Sequence, residues 1–372
     1  MKFTLPTITK SSIDKFSRKC PHCNNKGVIH QRVTRSIRDN KIDKVEQIRL
    51  KCKICQKTWN VYPDGVRMNS GRTVHCVYMC LLLYACGLSH EEVDKVSQVI
   101  ALKRMTSKTT NWRDLQRSGI FMRMKKLFVS GEKPRILGGD GTYVKIKGKK
   151  QCVEFINDAE KGLTISISLT NEKDSEELER LLFELAEEFN LRQVSFFLGD
   201  DNPVHSKLVD SFNGLGDTSR RLSSRIVKQA ICLAHSKKNV VKKIKEFMET
   251  NPDPPLEVSK LLEKLKDIVE RNFPYHEITW LRDMSIQPWV RNLSILGDLI
   301  NRIYIKYEKL SYHNAIEMVP STNNVSERKF IRPKVRYKST RGFKSKSGCL
   351  NFFRGILLFD QGSINSEFFN FI

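Results

Sequence analysis

The chain has no apolar run long enough to cross a bilayer: the longest candidate, around Cys80 to Cys86, is short and stops at Gly87, against the roughly 18 residues a span needs. Its opening, Met-Lys-Phe-Thr-Leu-Pro-Thr-Ile-Thr-Lys, has no signal-peptide core, so a cytoplasmic protein with no membrane partner is expected. No internal repeat or low-complexity tract recurs, which sets repeat architectures aside. Acid is short relative to base, with Lys+Arg 65 against Asp+Glu 41 and a net charge of +24. Solubility requires far less than that, so a polyanionic partner is implied, nucleic acid being the commonest. The charge is also clustered: nine basic residues follow Glu327 up to Lys346, with no acid among them.

In a reducing compartment the ten cysteines read as thiols and metal ligands, not as a disulfide framework. Cys20-Pro-His-Cys23 and Cys52-Lys-Ile-Cys55 are paired knuckles, each presenting two thiolates from one tight turn, which predicts one structural Zn²⁺ in a zinc ribbon over residues 1–62. The stretch between them reads as a hairpin. Cys76, Cys80 and Cys86 fall in an apolar helical pattern and read as core residues.

A chain of 372 residues implies two or three domains. Over 63–130 the period is helical: one helix stops at Gly87, Ser89 with Glu92 forms a capping box for a second, and a third opens after Met105. That layout predicts a helix-turn-helix whose last helix turns Ser107, Lys108, Thr110, Asn111 and Arg113 toward a DNA groove. Beyond a Gly-Glu-Lys-Pro linker at 131–134 the period switches to strands: Ile136 to Lys147, Gln151 to Ile156 and Leu163 to Leu169. An amphipathic helix over Asp174 to Phe189, an apolar strand Val194 to Leu198, a helix from Pro203, a strand Ile226 to Cys232 and a helix Ser236 to Met248 follow. The order β-β-β-α-β-α-β-α is that of an α/β RNase H-like core, assigned to 131–250 and 315–372 and interrupted by an all-α insertion over 251–314.

Three acids stand where a basic chain needs a reason for them. Asp140 lies in Leu-Gly-Gly-Asp-Gly-Thr-Tyr, Asp200 closes Val-Ser-Phe-Phe-Leu-Gly-Asp-Asp, and Glu327 lies in Thr-Asn-Asn-Val-Ser-Glu-Arg-Lys-Phe. Three convergent carboxylates suit divalent magnesium, a hard cation that keeps open positions for water and phosphate oxygens. Asp201 competes with Asp200, and Asp200 is preferred because it directly follows the apolar strand and its glycine.

These residues resemble the DDE transposases of prokaryotic insertion sequences, with a layout related to mutator-type transposases. The resemblance spans nearly the whole chain, and Asn323-Asn-Val-Ser-Glu327-Arg with the following Lys-Ser-Thr-Arg-Gly-Phe-Lys-Ser is its most specific part. It implies that Asp140, Asp200 and Glu327 are the catalytic residues and hold two Mg²⁺ (or Mn²⁺) ions, with cleavage at transposon ends followed by strand transfer into target DNA. Cys232-Leu-Ala-His235 resembles the Cys-x-x-His signature of mutator-like enzymes, implying support beside the active site. The basic segment, with Arg328, Lys329, Lys334, Arg336, Lys338, Arg341 and Lys344, is expected to hold DNA phosphates, and a nucleoid-associated homo-oligomer assembled on DNA is implied. Pro333 departs from the pattern and should kink or end the Glu327 helix. Two other readings stay open: a DNA-binding protein on a dead scaffold, and an RNase H-like nuclease without strand transfer.

Overall fold

The structure, a computed structural model, describes residues 13, 16–66, 70–125, 134–170, 191–215, 226–338 and 342–360. They divide into two compact units, one made of residues up to 125 together with 331–360, the other of 134–330. Among the described residues no helix is long and apolar enough to cross a membrane.

The first unit opens with an antiparallel sheet of β1 (Gly27–Ser36), β2 (Lys44–Cys52) and β3 (Thr58–Val61), in that order. Gly27 pairs with Cys52. A Cβ on Gly27 would lie 2.3 Å from the Trp59 ring, so the glycine lets the indole cover the sheet end. Helices α1 (Val74–Ala85), α2 (His90–Ala101) and α3 (Lys108–Lys125) follow. Each start has a stated cause. Thr73 accepts from the Cys76 amide, Ser89 and Glu92 form the expected reciprocal box, and Ser107 accepts from the Thr110 amide at 3.2 Å. Cys76 and Cys80 are buried, but Cys86 is exposed because α1 has ended and the chain is already turning at Gly87.

The second unit is a mixed α/β fold. Strands β4 (Ile136–Ile146), β5 (Lys149–Asp158) and β6 (Thr164–Thr170) form an antiparallel meander. Its first turn is tight because Lys147 and Gly148 both take left-handed backbone angles, φ 50° and 80°. Strand β7 (Phe196–Gly199), helix α4 (Pro203–Phe212), strand β8 (Lys228–Ile231) and helix α5 (Leu233–Thr250) follow, and the sheet order is β6-β5-β4-β7-β8. β4 pairs with β7 and β7 with β8 in parallel, so the carboxyl ends of β7 and β8 lie together. Alternation along β7 sends Phe197 into one core with Leu137, Val204 and Leu208, and Phe196 and Leu198 into another with Ile136 and Cys232. Burial on both faces explains why this strand reads as one apolar run. The helix expected at 174–189 lies outside the described residues, as does most of the 131–134 linker.

The interruption is helical, as its periodicity implies: α6 (Leu256–Glu270), α7 (Ile278–Ile286), α8 (Pro288–Arg291), α9 (Ile295–Ile305) and α10 (Tyr307–Ala315). Leu265, Ile268, Leu296 and Ile300 share one core with Val240, Ile244 and Phe247 of α5. Helix α11 (Asn324–Lys338) then contains Pro333 and continues to Lys338, so the proline, expected to kink or end the helix, does not end it. The last described helix, α12 (Lys346–Asp360), belongs to the first unit, although residues 315–372 were expected to complete the sheet domain. It packs on α3 through two glycines. A Cβ on Gly119 would fall 2.1 Å from the Asn351 carbonyl oxygen, and one on Gly355 would fall 2.8 Å from Leu115.

Arg72 grips Asp114 with two hydrogen bonds of 2.7 and 3.0 Å, and the two side chains are only 12% and 1% exposed. Removing one partner leaves an uncompensated buried charge, at a cost of about 3 kcal/mol. Arg72→Ala is therefore expected to lower the unfolding free energy of the first unit, read from urea denaturation, by that amount, with Arg72→Lys in between because lysine cannot make the bidentate contact.

Candidate functional site

Asp140 and Asp200 come from neighbouring parallel strands. Asp140 lies in β4 just past Gly138, which pairs with Leu198 of β7, and Asp200 directly follows β7. Asp140 is half-buried and accepts a 2.8 Å hydrogen bond from the Gly141 amide. Burial and the charge of Glu154 push its pKa up to about 6, with Asp200 adding to the effect and His235 opposing it. Asp200 is 40% exposed at its side chain. Burial opposes its ionisation, yet His205 and His235 hold it below the usual carboxylate value.

Beneath the two aspartates lies a pair the sequence reading missed. His205, on the first turn of α4, donates from Nε2 to Glu154 Oε1 at 2.8 Å; its Nδ1 lies 2.9 Å from Asp200 Oδ1 and 3.4 Å from the Asp200 carbonyl oxygen. The His205 and Glu154 side chains are 1% and 2% exposed. Burial disfavours a charged imidazole, but Glu154 and Asp200 outweigh it and push the pKa up to about 10, so the ring is an imidazolium at neutral pH. The glycines beside the aspartates make room for this pair. A Cβ on Gly199 would sit 2.5 Å from His205 Nδ1, one on Gly139 would sit 3.2 Å from Nε2 and 2.4 Å from Phe197, and one on Gly141 would sit 2.7 Å from Glu154 Oε2. A signal was available: Glu154 stands amid the apolar Cys152, Val153, Phe155 and Ile156, and a buried glutamate needs a partner.

Cys232 caps α5 where β8 ends, and its buried sulfur accepts from the Asn323 amide at 3.4 Å. Burial works against a thiolate there, but His235 and the Asn323 amide hold the Cys232 pKa below the usual thiol value. Asn323 in turn donates from Nδ2 to the carbonyl oxygen of Gly139 at 2.7 Å, one residue before Asp140. Helix α11 starts at the next residue, and Glu327 lies in its first turn. The backbone that carries Glu327 is thereby tied to the strand that carries Asp140; the Glu327 side chain itself lies outside the described set. Asp201 turns elsewhere and bonds Lys306. A cavity of about 240 Å³ opens beside it, lined by Lys242, Lys243, Arg302 and Lys306.

In the first unit the sulfur ligand atoms of Cys20, Cys23, Cys52 and Cys55 all lie within 4.8 Å of one another, so this cluster could hold a metal ion. Both knuckles close the same way. Asn24 and Gln56, each following the second cysteine of a pair, take left-handed angles, and the amides of His22, Ile54 and Cys55 point at sulfur at 3.4–3.5 Å. Amide donors of this kind stabilise thiolates, which suits zinc.

The residues expected to face DNA divide by exposure. Lys108 and Arg113 are exposed on α3, and Arg328, Lys334, Lys338 and Lys344 are exposed along the basic segment. Ser107 serves as the helix cap and bonds Thr110 at 2.8 Å. Two expectations are corrected. Asn111 is fully buried and bonds His90 Nδ1 at 2.9 Å, so it fastens α3 to α2. Arg336 is buried, donates to the carbonyl oxygens of Gly87 and Leu88 beyond the end of α1, and lies over the Tyr84 ring at 4.5 Å. It satisfies two loop carbonyls just past α1 and is turned away from solvent. The Lys329 side chain and Arg341 lie outside the described set.

No family model matches the chain, and no curated protein matches it. Among solved structures, the catalytic domain of Mos1 mariner transposase aligns at 15% identity over 54% of this chain and 92% of its own, with a TM-score of 0.20. A structure of the Mos1 transposase catalytic domain and Raltegravir with Mn aligns at 14% identity over 54% and 94%, again with a TM-score of 0.20. Overlap this slight carries no argument, and function has to be read from the residues themselves.

Two outcomes follow from this geometry. In metal-free protein the raised pKa of Asp140 means that its folded-state stability is full below pH 3.8 and is lost as the pH rises through about 6. Asp140→Asn should therefore leave the melting temperature nearly unchanged at pH 3 and raise it at pH 7.5 in a chelator, by a stability increment of about 3 kcal/mol. For the cysteines, purified protein should carry one zinc per chain, and Cys52→Ser with Cys55→Ser should lose both the zinc and the β1–β3 sheet while the second unit stays folded, since structural zinc supplies on the order of 10 kcal/mol.

Proposed function

We propose that the chain is a divalent-metal-dependent transposase of the DDE type, cutting DNA at the ends of an insertion sequence and joining the 3′-hydroxyl to target DNA. The observation that carries this is the hydrogen bond from Asn323 to the carbonyl oxygen of Gly139, which binds the helix of Glu327 to the strand of Asp140, itself beside the strand that ends in Asp200. Asp140, Asp200 and Glu327 are the ligands in this reading. The residues present fit hard cations. Burial first, and then the charges of Glu154 and Asp200, raise the Asp140 pKa to about 6, a penalty on its carboxylate that added positive charge relieves. Two Mg²⁺ or Mn²⁺ ions, when bound, neutralise the scissile phosphate, activate water or a 3′-hydroxyl, and stabilise the leaving oxygen.

The protein's own contribution is placement. Asp140 is fixed by the Gly141 amide, Asp200 by His205, and the start of α11 by Asn323 and Cys232. Lys242, Lys243, Arg302 and Lys306 stand around a largely apolar cavity next to Asp201, and these cations can meet a phosphate backbone. In the first unit the cysteine cluster takes one structural zinc in a zinc ribbon, and the exposed Lys108 and Arg113 of α3 read the element's ends as part of a helix-turn-helix. Lys329, Lys334, Lys338, Arg341 and Lys344 hold phosphates. The protein works as a homo-oligomer on DNA, in the nucleoid.

Asp140→Asn, Asp200→Asn and Glu327→Gln are each expected to keep DNA affinity and abolish Mg²⁺-dependent nicking and joining of end-containing duplexes, a loss of several kcal/mol of transition-state stabilisation. Asp201→Asn should be milder, because Asp201 serves Lys306. Full activity in any one of the first three variants overturns the assignment. Binding of DNA by the wild type without any cleavage in Mg²⁺ or Mn²⁺ returns the protein to the class of non-catalytic DNA binders.

A further inference from the structure

Most acids among the described residues sit in water or face a lysine or arginine. Glu154 does neither. It is 2% exposed in the middle of the sheet, opposite Gly141, and meets a histidine that is 1% exposed. Burying this pair is unfavourable unless both groups are satisfied. Both nitrogens of His205 are used, one on Glu154 and one at Asp200, so the ring bridges a fully buried acid and a half-exposed one. Gly139, Gly141 and Gly199 all leave space that a methyl group would take from this bridge.

We infer that Glu154 and His205 are a positioning pair for the metal-holding carboxylates: Glu154 fixes the His205 ring, and the ring fixes the Asp200 carboxylate and its carbonyl, leaving the outer carboxylate oxygen for a divalent cation. The inference rests on the reading of Asp140 and Asp200 as metal ligands. Ligand carboxylates that are themselves bonded hold metal in a defined direction, and losing such a partner typically weakens metal affinity tenfold or more.

The test uses the full zinc-loaded chain and Mn²⁺ alone, with bound and free Mn²⁺ measured by electron paramagnetic resonance in the absence of DNA. Glu154→Gln and His205→Phe are expected to weaken Mn²⁺ binding roughly tenfold, while zinc content and affinity for DNA without divalent metal stay at wild-type levels. His205→Asn, which can still donate to Asp200, should fall between wild type and His205→Phe. The double variant Glu154→Gln/His205→Phe should bind Mn²⁺ no more weakly than the poorer single variant, because the two residues act through one contact. Gly199→Ala provides an arm that removes no charge: its added methyl displaces the ring and should weaken Mn²⁺ binding in the same direction. Wild-type Mn²⁺ affinity in folded Glu154→Gln, or strictly additive losses in the double variant, overturns the pairing. Should His205→Phe fail to fold, the Glu154→Gln and Gly199→Ala arms decide. The two readings separate cleanly: if Asp140→Asn and Asp200→Asn also leave Mn²⁺ affinity unchanged, the metal site itself is wrong, whereas a loss there with none at Glu154 or Gly199 defeats only the positioning pair.

Discussion

Negative charge buried among the inner strands of a sheet is the constraint on which this site turns. Strands β4, β5 and β7 have apolar cover, and into that setting the chain places Asp140, Glu154 and Asp200. In the described structure one imidazolium makes this tolerable, by touching Glu154 and Asp200 at once. Asp140, buried and beside the Glu154 charge, has its pKa drawn up to about 6 even though His235 opposes the shift. Charge balance thus distinguishes the two aspartates that the sequence presents as alike: the surroundings hold Asp200 below the usual carboxylate value and Asp140 above it.

The second dependence is on Asn323. The described chain reaches Glu327 only after 64 residues of helical insertion (251–314) and a turn, and nothing local would return it to the strands. Asn323 does this with two contacts, its side chain to Gly139 and its amide to Cys232, while the Leu233 amide donates to Ser321 at 3.0 Å. The Cys-x-x-His element therefore has a mechanical meaning here. Cys232 starts α5 and receives the returning chain, and His235 acts on both Asp140 and Asp200 through its charge. The insertion is anchored near the same place by Lys306 to Asp201, and so shares a boundary with the carboxylates.

What could be read from the sequence was what depends on near neighbours. The cysteine knuckles, the Ser89–Glu92 capping box, the meander and its tight turn, and the apolar strand ending at Gly199 all follow from spacing within a few residues. Asp140 and Asp200 were legible because each breaks an apolar strand beside a glycine. What escaped was set by partners far away in the chain. Asn111 and Arg336 carry groove-facing chemistry in sequence, yet one meets His90 and the other the end of α1, from 249 residues away in the case of Gly87. His205 reads as an ordinary residue of a helix start until Glu154, 51 residues earlier, is placed against it. Helix α12 likewise joins the first unit through Gly119 and Gly355, a pairing that no local period announces.

The three glycines around the aspartates have a consequence for how variants of this protein fail. A single-base change from a glycine codon to alanine at Gly139 or Gly199 puts a methyl group within 2.4 Å of the Phe197 ring or 2.5 Å of His205, and every acid remains in place. Such a variant keeps all its charges and loses the room they need. Damage in this protein can therefore be silent at the charged positions and is recorded instead in its smallest residues.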